Sequence, residues 1–154
     1  MKIINQISAG GIVYKKIDSQ LLWLITQHSQ HKGWVFPKGL VGDNIKDEPK
    51  ETAALREVEE ETGISRKDMR IIPGFRMTDK YLFFREKRPI FKIVIFYLVE
   101  TKKRDIKLSH EHEGYAWFLP KEAVAASKFS NSKAIIKKAY DFVAHPHPHR
   151  PNKK

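Results

Sequence analysis

The 154-residue chain contains no cysteine. A disulfide scaffold, a cysteine nucleophile and any thiolate metal site are therefore excluded, and the expected setting is a reducing cytoplasm. No apolar run approaches the ~20 residues needed to span a bilayer. The longest candidates, residues 21–25 and 93–99, have strand length. The opening residues Met1-Lys2-Ile3-Ile4-Asn5-Gln6 lack the apolar stretch and cleavage site of a secretory signal, so neither export nor membrane association is expected. There is no internal repeat and no interior linker. Acidic residues are also scarce, 18 against 29 Lys and Arg, for a formal net charge of +11.

What is present suits one globular domain: 41% hydrophobic residues in a chain of domain length. The basic excess favours polyanionic partners such as nucleotides or nucleic acid, beside the plainer reading of a surface charged for solubility. The few acidic residues are not spread evenly. Eight of the 18 fall between Asp43 and Glu61. One dense acidic segment in a basic chain suggests a cation site set in a field that attracts anions.

The hydrophobic pattern predicts strands over residues 7–16, 21–27, 69–75, 91–100 and 115–119, with Asp18-Ser19-Gln20 as a hairpin turn. Residues 34–39 read as a short extended piece and 42–47 as a polar loop. Helices are predicted over 49–62, 121–126 and 132–143, the first with Pro at its start and Gly63 just past its end. Interleaved strands and helices, several close enough to be hairpins, predict an α/β fold with a mixed sheet. Residues 1–144 would form a single domain, and 145–154, with three His at alternate positions among Pro, a flexible basic tail. Transition-metal binding by those histidines is the alternative.

The first helix carries the chemistry. Glu57, Glu60 and Glu61 stand at i, i+3 and i+4, so their carboxylates share one face, while Leu55, Val58 and Thr62 lie on another side and can pack on the sheet. At an effective dielectric of about 20, a like-charge pair 4 Å apart costs on the order of 4 kcal/mol. A divalent cation removes that repulsion, and oxygen-only ligands favour magnesium or manganese. A solvated acidic face, with Arg56 paired to Glu60, is the plainer explanation of such a cluster taken alone.

The spacing decides between them. Gly42, Glu48, Arg56, Glu57, Val58, Glu60, Glu61, Gly63 and Ile64 match the pattern G-x5-E-x7-R-E-U-x-E-E-x-G-U, where U is bulky and aliphatic. At average residue usage, nine such matches arise by chance in a chain this long less than about once in a million. The segment resembles the box of the Nudix hydrolase family. In many members the box glycine directly follows a Pro-Lys pair. Here Pro37-Lys38 precedes Gly39, so either Gly42 is the box glycine or Gly39 is and the loop to Glu48 carries three extra residues. The lead-in Trp34-Val35-Phe36-Pro37-Lys38-Gly39 favours Gly39.

The resemblance implies an α/β/α sandwich and divalent-cation-dependent hydrolysis of a nucleoside diphosphate linked to another group. Carried over by position, Glu60 and Glu61 would be the principal metal ligands and Glu57 a further ligand or the base that takes a proton from water. Arg56, counted with Glu57 and Glu60 in the catalytic group, would hold the glutamates. Glu48 would support the loop, and Lys38 would offer a backbone carbonyl to the metal. Mg2+ is the implied cofactor, with Mn2+ as a substitute.

Outside the box, from about Ser8 to Phe142, the chain is similar to the asymmetrically cleaving diadenosine tetraphosphate hydrolases of that family. The most telling stretch is Leu108-Ser109-His110-Glu111-His112-Glu113-Gly114-Tyr115-Ala116-Trp117. That similarity implies that Tyr81 and Tyr115 sandwich an adenine, that Lys38 and Lys92 face the phosphate chain, and that Glu111 helps hold metal or water. His110 is a further candidate for a phosphate contact, and His112 reads as structural. The family often has a histidine where this chain has Gly33; His31 is the nearby substitute. Residues 81–88 (YLFFREKR) look longer than the family's equivalent and can reach a larger polyphosphate or an RNA 5′ end.

Three functions compete. The first is asymmetric cleavage of diadenosine tetraphosphate to ATP and AMP. The second is RNA 5′ pyrophosphohydrolysis, or action on another nucleoside-diphosphate-linked substrate. The third is a non-catalytic nucleotide- or RNA-binding module; such modules usually lose box glutamates, and this chain keeps all of them. The composition suits a monomer and a homodimer equally.

Overall fold

The computed structural model describes residues 2–30, 32–43, 45–128 and 130–145. His31 and the tail from Pro146 onward, both singled out above, lie outside the described residues. In chain order the elements are β1 (Ile4–Ile17), β2 (Gln20–His28), β3 (Trp34–Val35), β4 (Lys38–Leu40), α1 (Lys50–Thr62), a 3-10 turn (Arg66–Asp68), β5 (Met69–Arg85), β6 (Arg88–Thr101), β7 (His112–Phe118), α2 (Pro120–Ala126) and α3 (Ser130–Ala144).

The strands form one mixed sheet in the order β3-β2-β1-β6-β5, with β4 also paired to β1 and β7 to β2. β1 and β6 run parallel from Ile4↔Ile90 to Tyr14↔Glu100, and the other pairs are antiparallel. A parallel pair needs a crossover, and here α1 lies within it. Side chains alternate across the central strands, so both faces are apolar. Ile12, Tyr14, Trp23, Phe96 and Leu98 pack on one face with Ala123 of α2 and Ile135, Ile136 and Ala139 of α3. On the other face, Val58 of α1 packs with Val13, Leu24 and Val99, and Ala53 and Ala54 pack with Ala9 and Tyr97. The result is the α/β/α sandwich expected from the sequence.

Two small alanines and a valine bring α1 close to the sheet, and full burial of Val58 contributes about 1.5–3 kcal/mol. Gly63 ends the helix at φ 75°, a left-handed conformation that a side chain would strain, and its N–H closes the last turn on the Glu59 carbonyl. The helix is thereby fixed in place and in length, which fixes the line of its carboxylates.

The largest departure from the expected bounds is in β5 and β6. β5 does not stop at Phe75 but continues to Arg85, and β6 begins at Arg88 rather than Phe91. The pair Pro73-Gly74 lies inside the predicted strand. In the fold it falls where the register shifts between Ile71 and Arg76, with Gly74 at φ 90°, after which pairing resumes. Glu86 and Lys87, both at positive φ, make the two-residue turn of a long hairpin.

Candidate active site

Arg56 organises the acidic face of α1. Its Nε donates to Glu48 Oε2 at 2.6 Å and its Nη2 to Glu48 Oε1 at 3.0 Å, a bidentate pair. Its Nη1 donates to Glu57 Oε2 at 2.7 Å and to Glu60 Oε2 at 2.9 Å, and Nη2 also reaches the Leu40 carbonyl at 2.9 Å. Arg56 thus touches carboxylates and backbone and acts as a positioning residue. Glu48 is buried, and the Arg56 guanidinium holds its carboxyl below the usual range. It also accepts the Gly42 N–H at 3.0 Å, with Gly42 at φ 79°.

The glycines divide two tasks between them. Gly42 turns the loop onto Glu48. Gly39 lies against the catalytic candidate itself: a Cβ there would stand 2.1 Å from the Glu57 carboxyl carbon. Next to it, the Lys38 N–H donates to Glu61 Oε2 at 3.1 Å. β4 therefore passes edge-on across the acidic face with no room for a side chain at Gly39. This close approach is the local reason for glycine after Pro37-Lys38.

Burial raises the Glu57 carboxyl to about 7, against the pull of Arg56 and with the charges of Glu60 and Glu61 adding to the rise. Glu61 is also raised, chiefly by burial, and its Oε1 meets His112 Nε2 at 2.6 Å. Glu60 is the exposed member of the trio. Glu57 and Glu60 already converge on a single cationic nitrogen, Arg56 Nη1. Among the described residues no three His, Asp or Glu side chains form a ready cage. The donors are nonetheless all oxygen, mutually repelling and held on one helix turn, which fits a hard divalent cation in place of protons.

A cavity of about 590 Å3 opens over this face. Lys38, Glu57, Lys92, His110 and Glu111 line it, so five predicted residues from four parts of the chain meet there. Burial, and then the charges of Lys38 and Arg85, push the Lys92 ammonium down to about 8. The Glu111 carbonyl accepts both the N–H and the Oγ–H of Ser29, each at 3.0 Å, which ties the loop after β2 to the approach to β7.

Tyr81 and Tyr115 are partly exposed, on β5 and β7, and neither lines the cavity. Trp117, on the same side of β7 as Tyr115, is half-buried against the core, with Lys15 Nζ 4.1 Å from its ring centroid. His112, read as structural, is the partner of Glu61, 51 residues away, a pairing with no local signal. Arg85, within the stretch 81–88 singled out for its reach, lines the cavity from the end of a β5 longer than its pattern suggested.

Residues 5–140 match the family model described as NUDIX domain, and the chain belongs to that family. It is 38% identical over 145 residues to the asymmetrical bis(5′-nucleosyl)-tetraphosphatase of Rattus norvegicus, covering 88% of this chain and 94% of the relative. The crystal structure of a Caenorhabditis elegans Ap4A hydrolase binary complex superposes with a TM-score of 0.78 at 26% identity, over 90% of this chain and 98% of that one. A shorter likeness, 41% over 71 residues, is to an RNA pyrophosphohydrolase of Sodalis glossinidius; it spans 46% of this chain and 38% of the relative.

Proposed function

We propose that the protein is a magnesium-dependent pyrophosphohydrolase that cleaves diadenosine tetraphosphate asymmetrically to ATP and AMP. The observation that carries this reading is the meeting of Glu57 with Lys38 and Lys92 in one cavity. The two ammonium groups are compact point charges suited to several phosphate oxygens. The Glu57 carboxylate lies in the same cavity, where it can take a proton from water. The rat relative, matched along nearly its whole length, supports the substrate.

Glu57, Glu60 and Glu61, with the Lys38 carbonyl, would hold the Mg2+, and Mn2+ would substitute. The bound cation supplies charge neutralisation at the phosphates. Glu57 takes a proton from water as its oxygen attacks an end phosphorus of the chain. One phosphoanhydride bond breaks, and its bridging oxygen leaves with the other product. Arg56 keeps Glu57 and Glu60 in register throughout, and Gly39, lacking a side chain, lets β4 pass against Glu57 without displacing its carboxylate. Glu111 and His110, which also line the cavity, contact water or phosphate. Tyr115, partly exposed on β7, offers a ring on which an adenine can stack, whereas Tyr81 lies on β5 at the other edge of the sheet and does not close on the same base.

Purified protein incubated with diadenosine tetraphosphate and Mg2+ is expected to release ATP and AMP in equal amounts. Two ADP, or no turnover, would overturn the reading. A second reading, RNA 5′ pyrophosphohydrolysis, is favoured by the basic and aromatic residues of the hairpin tip, Phe83 to Arg88. A triphosphorylated oligonucleotide losing pyrophosphate faster than the dinucleotide is cleaved would establish it instead.

A further inference from the structure

Tyr81, Phe83 and Arg85 alternate along β5 and so share one side of the hairpin, the side of Lys92, which pairs with Tyr81. The guanidinium of Arg85 sits over the Phe83 ring, its Cζ 5.6 Å from the centroid, and the Phe83 ring in turn packs against Tyr81 at 5.9 Å. Phe83 is half-buried, whereas Arg85 is exposed at its edge and lines the cavity together with Lys38 and Lys92. Among the described residues none of these three cations makes an ion pair within 4 Å. Arg56, also beside the cavity, is instead saturated with carboxylates.

Three unpaired cations facing one cavity call for an anion. Their number says what kind. Three positive charges around one cavity exceed what a single phosphate balances, and the strand positions of Arg85 and of Tyr81, opposite Lys92, lie four residues or roughly 13 Å apart along the backbone, so a chain of several phosphates suits them. We propose that Arg85, steadied on the Phe83 ring at the hairpin tip, clamps the distal part of a polyphosphate chain and sets the chain length the cavity accepts. This rests on the hydrolase reading above and adds to it a specificity-determining residue. A guanidinium stacked on a ring keeps its fork free for phosphate oxygens, which a lysine does only as a point charge.

The test measures kcat and KM for diadenosine tri-, tetra- and pentaphosphate with wild type, Arg85→Ala, Arg85→Lys, Phe83→Leu and Lys80→Ala. Lys80 is exposed on the opposite side of the same strand, so its removal controls for lost charge. Arg85→Ala is expected to raise KM roughly tenfold for the tetra- and pentaphosphate and by less than about threefold for the triphosphate. The effect should fall on KM rather than kcat. Arg85→Lys should recover part of it, and Phe83→Leu should show a smaller loss of the same pattern. Lys80→Ala should leave the chain-length ratios as in wild type. An equal rise for all three substrates, or the same result from Lys80→Ala, would overturn the proposal. Calorimetry with inorganic tripolyphosphate separates this from the hydrolase reading. If wild type fails to cleave the dinucleotides, weaker tripolyphosphate binding by Arg85→Ala still supports the clamp, and equal binding refutes it.

Discussion

The acidic face of α1 and the basic face of the β5–β6 hairpin border the same cavity and are built in opposite ways. Glu57 and Glu61 of α1 and the neighbouring Glu48 are buried while Glu60 is exposed, and the set is overdetermined: one arginine, one histidine, two backbone N–H groups and a glycine-sized gap fix it. On the hairpin, Arg85 is exposed and rests on a ring, and Lys92 faces it without a carboxylate partner. The first arrangement holds charge where it is costly, and the second offers charge where a ligand can take it. Chemistry that tolerates little displacement sits on the rigid side, and recognition of a long flexible anion sits on the adaptable one.

The largest test of that contrast is Arg56→Ala. It strands Glu48, whose side chain is fully buried, and leaves Glu57 without its counter-ion. A loss of about 3–5 kcal/mol in urea unfolding is expected. A change near zero would show that the acidic cluster is not held by Arg56. Next comes Glu57→Gln, which keeps shape and removes the base. Turnover should fall at least ~100-fold with substrate binding largely kept. Unchanged turnover would reject the role given to Glu57.

A smaller effect separates the two faces by pH. Lys92 is charged below about 8, so KM for the polyphosphate should rise as pH passes above that value. Lys92→Arg should carry tight binding to higher pH. The stabilities move in opposite senses. The raised carboxyl of Glu57 favours the folded state when protonated, so its contribution is present at low pH and is lost as pH rises from 4.5 to about 7. The depressed ammonium of Lys92 disfavours the folded state while charged, and that penalty is relieved as pH rises from about 8 to 10.5. Thermal unfolding of the two variants, Glu57→Gln and Lys92→Met, across pH 4 to 11 should flatten one limb each. Identical profiles for both would erase the distinction.

The acidic side was the legible one. The spacing of Glu57, Glu60 and Glu61, the cap at Gly63 and the Arg56–Glu60 pair all follow from helix geometry, which is local. The hairpin was not. Leu82 and Phe84 are as apolar as Tyr81 and Phe83, so no alternation of polarity marks residues 81–84 as a strand. Juxtapositions set by the fold, such as Glu61 with His112 or Lys38 and Lys92 on one cavity, have no trace in local pattern. For the lysines, family resemblance stood in for that missing signal. It also singled out Tyr81 and Tyr115, which the fold places on different strands, outside the cavity lining.

The claim that the carboxylates of α1 gather a hard cation is tested most directly by anomalous diffraction from crystals grown with Mn2+. The expected result is a manganese peak bounded by Glu57, Glu60 and Glu61. An empty position there, with Arg56 still joined to Glu57 and Glu60, would contradict it.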